Sequence, residues 1–165
     1  MDRICFLCES GELEALKAEL TAAQAVPGYC DQADQRGYVP LLTAIFNHRN
    51  GIAKYLVEKG YSSPTYCLAR NRTTALHVAA YRFNNDAIPW LVSKGARVNS
   101  RDAWGKTPLH HCSFHANVKG IRLLLKEGAR TDIRDRYGQV PIHLTHLDEV
   151  KQALTSEEGT GAPRS

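Results

Sequence analysis

The sequence predicts an all-α solenoid: short helix-turn-helix units stacked side by side, joined by β-turn or hairpin loops. Three observations carry this. Val39-Pro40-Leu41-Leu42, Thr74-Ala75-Leu76-His77, Thr107-Pro108-Leu109-His110 and Val140-Pro141-Ile142-His143 recur at offsets of 35, 33 and 33 residues. Self-similarity at this period marks stacked repeats. A second apolar-periodic stretch follows in each unit and stops at a glycine (Gly60, Gly95, Gly128), the residue that closes a helix with a left-handed cap. The 165 residues divide into five such units, and 43% apolar content can supply a continuous core.

The elements follow in order. An N-terminal capping unit, 1–30, contributes only helices, over 3–9 and 11–20. The second unit, 31–66, has helices over 39–47 and 51–59. The third, 67–99, has them over 74–82 and 85–94, with Pro89 near the second helix's start, where a small kink is expected. The fourth, 100–132, is the best formed. Asp102-Ala103-Trp104-Gly105 reads as a turn, Thr107 as an N-cap and Pro108 as the first helical residue. Its helices run over 109–115 and 118–127. A partial C-terminal unit, 133–154, starts at Asp135-Arg136-Tyr137-Gly138, with helices over 140–145 and 148–154. Residues 155–165 are polar and Gly-rich and read as a disordered tail. A helix pair this short cannot bury its apolar stripe alone and must stack on its neighbours.

Asp102-x-x-Gly105-x-Thr107-Pro108-Leu109-His110, the closure Leu124-Leu125-Lys126-Glu127-Gly128-Ala129 and the 33-residue period resemble the ankyrin repeat family over roughly residues 3–154. Departures from its pattern are informative. Val39 and Val140 replace the capping threonine, each a loss of about 1 kcal/mol if uncompensated. Ala69 and Arg72 stand where the turn Asp and Gly belong, and two extra residues near Tyr61-Ser62-Ser63-Pro64 lengthen the link into the third unit. That junction is a tolerated insertion or a locally adapted binding edge.

The resemblance implies that partners bind a concave face made of turn tips and the exposed side of each first helix. Carried over unit by unit, that face presents an aromatic row, Phe46, Tyr81 and Phe114, beside His115, with Tyr38, Trp104 and Tyr137 at the turns. Arg36, Arg70, Arg82, Lys106 and Arg136 lie between them. Aromatic residues and arginine are enriched at the energetic centres of protein interfaces. The aromatic row reads alternatively as packing between repeats.

Other constellations carry less. His77, His110 and His143 repeat one slot, and the family uses that histidine to fix the turn. His111 and His115 have helical i, i+4 spacing, which suits zinc only with further ligands. Cys5-x-x-Cys8 lacks a second pair and reads as core thiols. Asn99 matches the loop asparagine that some ankyrin repeats offer to asparaginyl hydroxylases. No phosphate loop, nucleophile elbow or zinc-protease motif is present.

Five scattered cysteines in a chain with this much core point to free thiols in a reducing compartment, cytoplasmic and/or nuclear. No apolar run reaches a membrane span, and the first residues do not read as a secretory signal. The sequence reading is a monomeric, non-enzymatic protein-binding module without cofactor or metal. Its partner offers acidic and apolar groups, and the family's small repeat-only regulators suggest an adaptor or inhibitor. Single-stranded nucleic acid on the same basic and aromatic face is the second reading, although a net charge of +4 is small for it. A zinc or thiol enzyme is the third.

Overall fold

The computed structural model describes residues 1–155, so the tail expectation for residues beyond Thr155 lies outside the described residues. Helices α1 (Asp2–Ser10), α3 (Pro40–Phe46), α5 (Ala75–Tyr81) and α7 (Pro108–Phe114) stack in sequence, and a 3₁₀ turn (Pro141–Leu144) extends the row. Each is followed by an antiparallel partner: α2 (Leu13–Ala22), α4 (Asn50–Glu58), α6 (Ala87–Ser93), α8 (Val118–Lys126) and α9 (Asp148–Thr155). A further 3₁₀ turn, Tyr29–Asp31, was not legible in the sequence. Among the described residues no helix is long and apolar enough to cross a membrane.

One core runs the length of the stack. Leu16, Leu41, Leu76, Leu109 and Leu124 are fully buried along it, and the small residues Ala44, Ala79 and Cys112 let neighbouring first helices approach. At roughly 1.5–3 kcal/mol per fully buried large side chain, this continuous burial is what a single helix pair lacks.

Caps and turns set the geometry. At α5, the Thr74 N–H donates to His77 Nδ1 (3.2 Å) with the Thr74 hydroxyl 2.8 Å from the same nitrogen; Thr107 and His110 repeat this at α7. The opposite nitrogen then carries the proton. His77 Nε2 donates to the Lys106 carbonyl (3.0 Å) and His110 Nε2 to the Gln139 carbonyl (3.1 Å), tying each unit to the next turn. His143 departs from the expected role. It is exposed, because its N-cap is Val140, without a hydroxyl, and among the described residues no further turn stacks on it. The first unit fills the same slot with Cys5, whose thiol donates to the Tyr38 carbonyl (3.4 Å). Val39 provides no side-chain cap but is buried in the core, which offsets part of the lost hydrogen bond.

Three turns share one construction. Oδ1 of Asp34, Asp102 and Asp135 each accepts two backbone N–H groups, from residues two and four positions on. The third unit differs. Its turn closes from the Leu68 N–H to the Thr73 carbonyl, one residue wider than Asp102 to Lys106, and Asn71 Oδ1 takes the Thr73 N–H instead. The two extra residues are therefore not both near 61–64: one precedes Leu68 and the other widens the turn. Arg72 keeps the left-handed conformation of the glycine it replaces (φ 55°).

Pro89 has a different effect from a kink. The second helix of the third unit starts at Ala87, two residues later than its counterparts, through 3₁₀-type bonds from Ala87 N to Asn84 O and Ile88 N to Asn85 O. That delay puts Pro89 in the first turn, where its missing N–H costs nothing.

Candidate functional site

The row of first helices brings part of the predicted set together. The Phe46 and Tyr81 rings meet edge to face, centroids 6.2 Å apart. The Arg82 guanidinium lies 4.1 Å over the Phe46 ring and donates Nε–H to the Phe46 carbonyl (3.3 Å). Tyr38 rises from the second turn with Arg36 4.8 Å over its ring. Phe46, Tyr81, Tyr38 and Arg36 border a cleft of about 430 Å³ with Leu42, Leu68 and Val78 on its apolar lining and Glu9 also in its wall. Leu42 holds the slot that His77 and His110 occupy in the next two units, so the second unit trades a turn-fixing hydrogen bond for apolar surface.

The aromatic row continues differently from its register. The rings beside Tyr81 in the fourth unit are those of His115 (6.1 Å) and His111 (6.2 Å), and His115 stands edge to face with Phe114 (5.1 Å). Phe114 is 63% exposed, and Lys106 reaches from the turn to 5.6 Å from its ring centre. Arg70, Trp104, Arg136 and Tyr137 stand exposed at the turns, apart from the cleft. Arg36 is already bound: its Nε and Nη2 donate to Asp34 Oδ2 (3.2 and 3.1 Å), whereas Arg82, over the Phe46 ring, forms no ion pair among the described residues.

His111 and His115 do not converge. His111 Nε2 donates to Asp102 Oδ2 (2.9 Å), with the His77 ring edge-on at 5.5 Å. The ligand atoms of His77, Asp102 and His111 all lie within 4.8 Å of one another. Both His77 nitrogens are spent on the cap of α5 and on the Lys106 carbonyl, so a cation there would have to dismantle the repeat's own fixing bonds. Burial pushes His77 down to about 4 and lowers His110 and His111, with Asp102 opposing the shift at His111. Desolvation would raise Asp102, but the bond from His111 and the amides of Lys106 and Trp104 outweigh it and hold its carboxyl low.

Cys5 and Cys8 are both buried, and burial raises both thiols, Cys5 to about 12. A thiol so protonated is a poor nucleophile and metal ligand. Residues the sequence reading passed over lock the units together. Asn84 Nδ2 bonds the Ile45 carbonyl (2.9 Å) and Asn50 Oδ1, and Asn117 Nδ2 bonds the Ala80 carbonyl (3.0 Å) and Asn85 Oδ1. Both sit one residue after a left-handed residue, Phe83 and Ala116, and their 33-residue spacing was the available signal. Asn99 bridges in the same way, donating to the Gly128 carbonyl (3.2 Å) and accepting from Arg130 N (2.9 Å).

Comparison with known proteins agrees with this architecture. Residues 62–135 match the family model described as ankyrin repeats (3 copies). The chain is also 36% identical over 80 residues to BRCA1-associated RING domain protein 1 of Caenorhabditis elegans, a match covering 48% of this chain and 11% of that relative. The matched stretch is thus about a tenth of the relative's length.

Proposed function

We propose that this chain, an ankyrin-repeat protein, acts as an adaptor or regulatory inhibitor that holds a partner protein along its concave face. Ankyrin repeats are protein-interaction modules, and the finer reading rests on one observation: the cleft between the second and third units. There Phe46 and Tyr81 leave aromatic surface open above Leu42, Leu68 and Val78, with Arg82 over one ring. A monomeric, largely preformed surface loses little ordering entropy on binding. Its chemistry suits a segment with an apolar or aromatic anchor for the cleft and an acidic group for Arg82. Trp104, Lys106, Phe114 and His115 extend the contact surface into the fourth unit, and Arg70, Arg136 and Tyr137 supply a rim. A reducing compartment, cytoplasm or nucleus, suits a chain whose cysteines are free thiols.

Affinity capture from the source cell tests this. Wild type, Phe46→Ala and a control at an exposed residue of α8, Arg122→Ala, serve as baits. A partner kept by wild type and the control but lost by Phe46→Ala supports the concave face. A partner lost only by the control overturns it.

A further inference from the structure

The slot just before each turn reads Cys67, Arg101 and Arg134 in the third, fourth and fifth units. Both arginines fold back over their own turns. Arg101 donates Nε–H to the Gly105 carbonyl (3.2 Å), and Arg134 donates from Nη1 to the Gly138 carbonyl (2.8 Å). The turn glycine makes room for this: a Cβ on Gly105 would meet Arg101 Nη2 at 2.9 Å. The third unit inverts the arrangement. The small Cys67 precedes its turn, and Arg72 replaces the glycine while keeping its left-handed backbone.

The space over that turn is therefore open. It forms a cleft of about 640 Å³ beside the fourth unit, lined by Arg72, Arg97 and Arg101 together with Thr65, Asn99 and Ser100. Among the described residues no carboxylate lines it. Among the described residues Arg72 and Arg97 form no ion pair, and the Arg101 guanidinium bonds only carbonyl oxygens, those of Gly105 and Arg134.

We propose that this cleft binds a phosphate monoester carried on a phosphorylated serine or threonine of a protein partner. Guanidinium forks match phosphate oxygens in pairs, and clustered arginines are how proteins read phosphorylated segments. A carboxylate brings one charge and two oxygens, too few to engage three guanidinium groups and the neighbouring hydroxyls. Single-stranded nucleic acid fits poorly, because no aromatic ring lines the cleft and bases would have nothing to stack on. The site is separate from the concave aromatic cleft and stands whether or not that face binds a partner.

The test titrates the full chain with blocked O-phosphoserine, blocked glutamate and a short oligothymidylate, read by the NMR signals of the arginine Nε–H groups. Phosphoserine shifts Arg72 and Arg97 saturably and binds about tenfold tighter than glutamate. Its affinity falls from pH 7.5 to 5.5, as the phosphate loses its second charge near pH 6. The double variant Arg72→Gln, Arg97→Gln weakens it about tenfold with unchanged helical content. Arg72→Gly separates binding from folding: it relieves the left-handed side chain, so thermal stability holds or rises while phosphoserine affinity drops. Equal binding of glutamate, preference for the oligothymidylate, or phosphoserine affinity indifferent to the double variant overturns the proposal.

Discussion

Asp102, buried, and His111, half-buried, form a pair, Nε2 to Oδ2 at 2.9 Å, directly beside the histidine that caps α5. The pair and His77 make the fold sensitive to acid in one direction. His77 is depressed by burial from 6.5 to about 4, so the unfolded chain takes up a proton before the folded one does. Its contribution is full above the unfolded value near 6.5 and is lost as pH falls towards about 4. His111 is lowered too, and Asp102 is held low, so each adds loss in the same direction. Thermal unfolding is expected to be flat between about pH 7 and 8, below the range in which the buried thiols begin to count, and to lose midpoint steadily between about 6.5 and 4. NMR titration of the imidazoles checks the cause: the His77 ring stays neutral until about pH 4. A His77 ring that titrates near 6.5 in the folded protein refutes this account.

The reciprocal cap has its own magnitude. Thr107→Val places in the fourth unit the residue that the second and fifth units carry. The hydroxyl beside His110 Nδ1 goes, while the backbone donor to that nitrogen stays. A loss of about 1 kcal/mol in urea unfolding is expected, the scale of an N-cap hydroxyl. Thr107 is fully buried, so the isosteric valine adds no clash and the lost hydrogen bond is measured nearly alone. No measurable loss would show that the histidine's bond to Gln139 carries the cap.

Period made the fold legible. Pro108 after Thr107, Gly128 after Glu127 and the 33-residue register dictate helix pairs that stack, and the structure has them. The misses follow from tertiary context. His143 has the slot but neither the hydroxyl nor, among the described residues, a following turn. Cys5 fills that slot without resembling histidine. The widened Leu68–Thr73 turn needs backbone hydrogen bonds to locate its extra residue. In the candidate site, register aligned Phe46, Tyr81 and Phe114. It could not reveal that His115 stands next to Tyr81, or that Arg36 is held by Asp34.

The concave surface makes a graded prediction for any identified partner. Phe46→Ala and Tyr81→Ala remove the two walls of the cleft and each is expected to weaken binding by about 1–2 kcal/mol, the range of interface anchors. Trp104→Ala and Phe114→Ala remove exposed rings in the fourth unit, and their losses map how far the partner extends. Calorimetric titration with all four variants reads this directly, with circular dichroism as the folding control. Full affinity in every variant refutes the concave assignment. Losses confined to Trp104 and Phe114 shift its centre one unit along.

Thiol chemistry supplies the last prediction and bears on the Cys5-x-x-Cys8 motif. Cys5, Cys8, Cys30 and Cys112 are fully buried, and burial raises each thiol, Cys5 and Cys30 to about 12. Cys67, exposed at the edge of the arginine-lined cleft, is the accessible one. The thiolate is the reacting species, so protonation and burial both protect the four core residues. Native protein treated with iodoacetamide at pH 7.5 should therefore carry one carbamidomethyl group, at Cys67, and denatured protein five. Mass spectrometry of the intact chain counts them, and peptide mapping locates the native one. Rapid native labelling of Cys5 or Cys8 would mean that the first unit opens readily, and the pair would regain its claim to redox or metal chemistry.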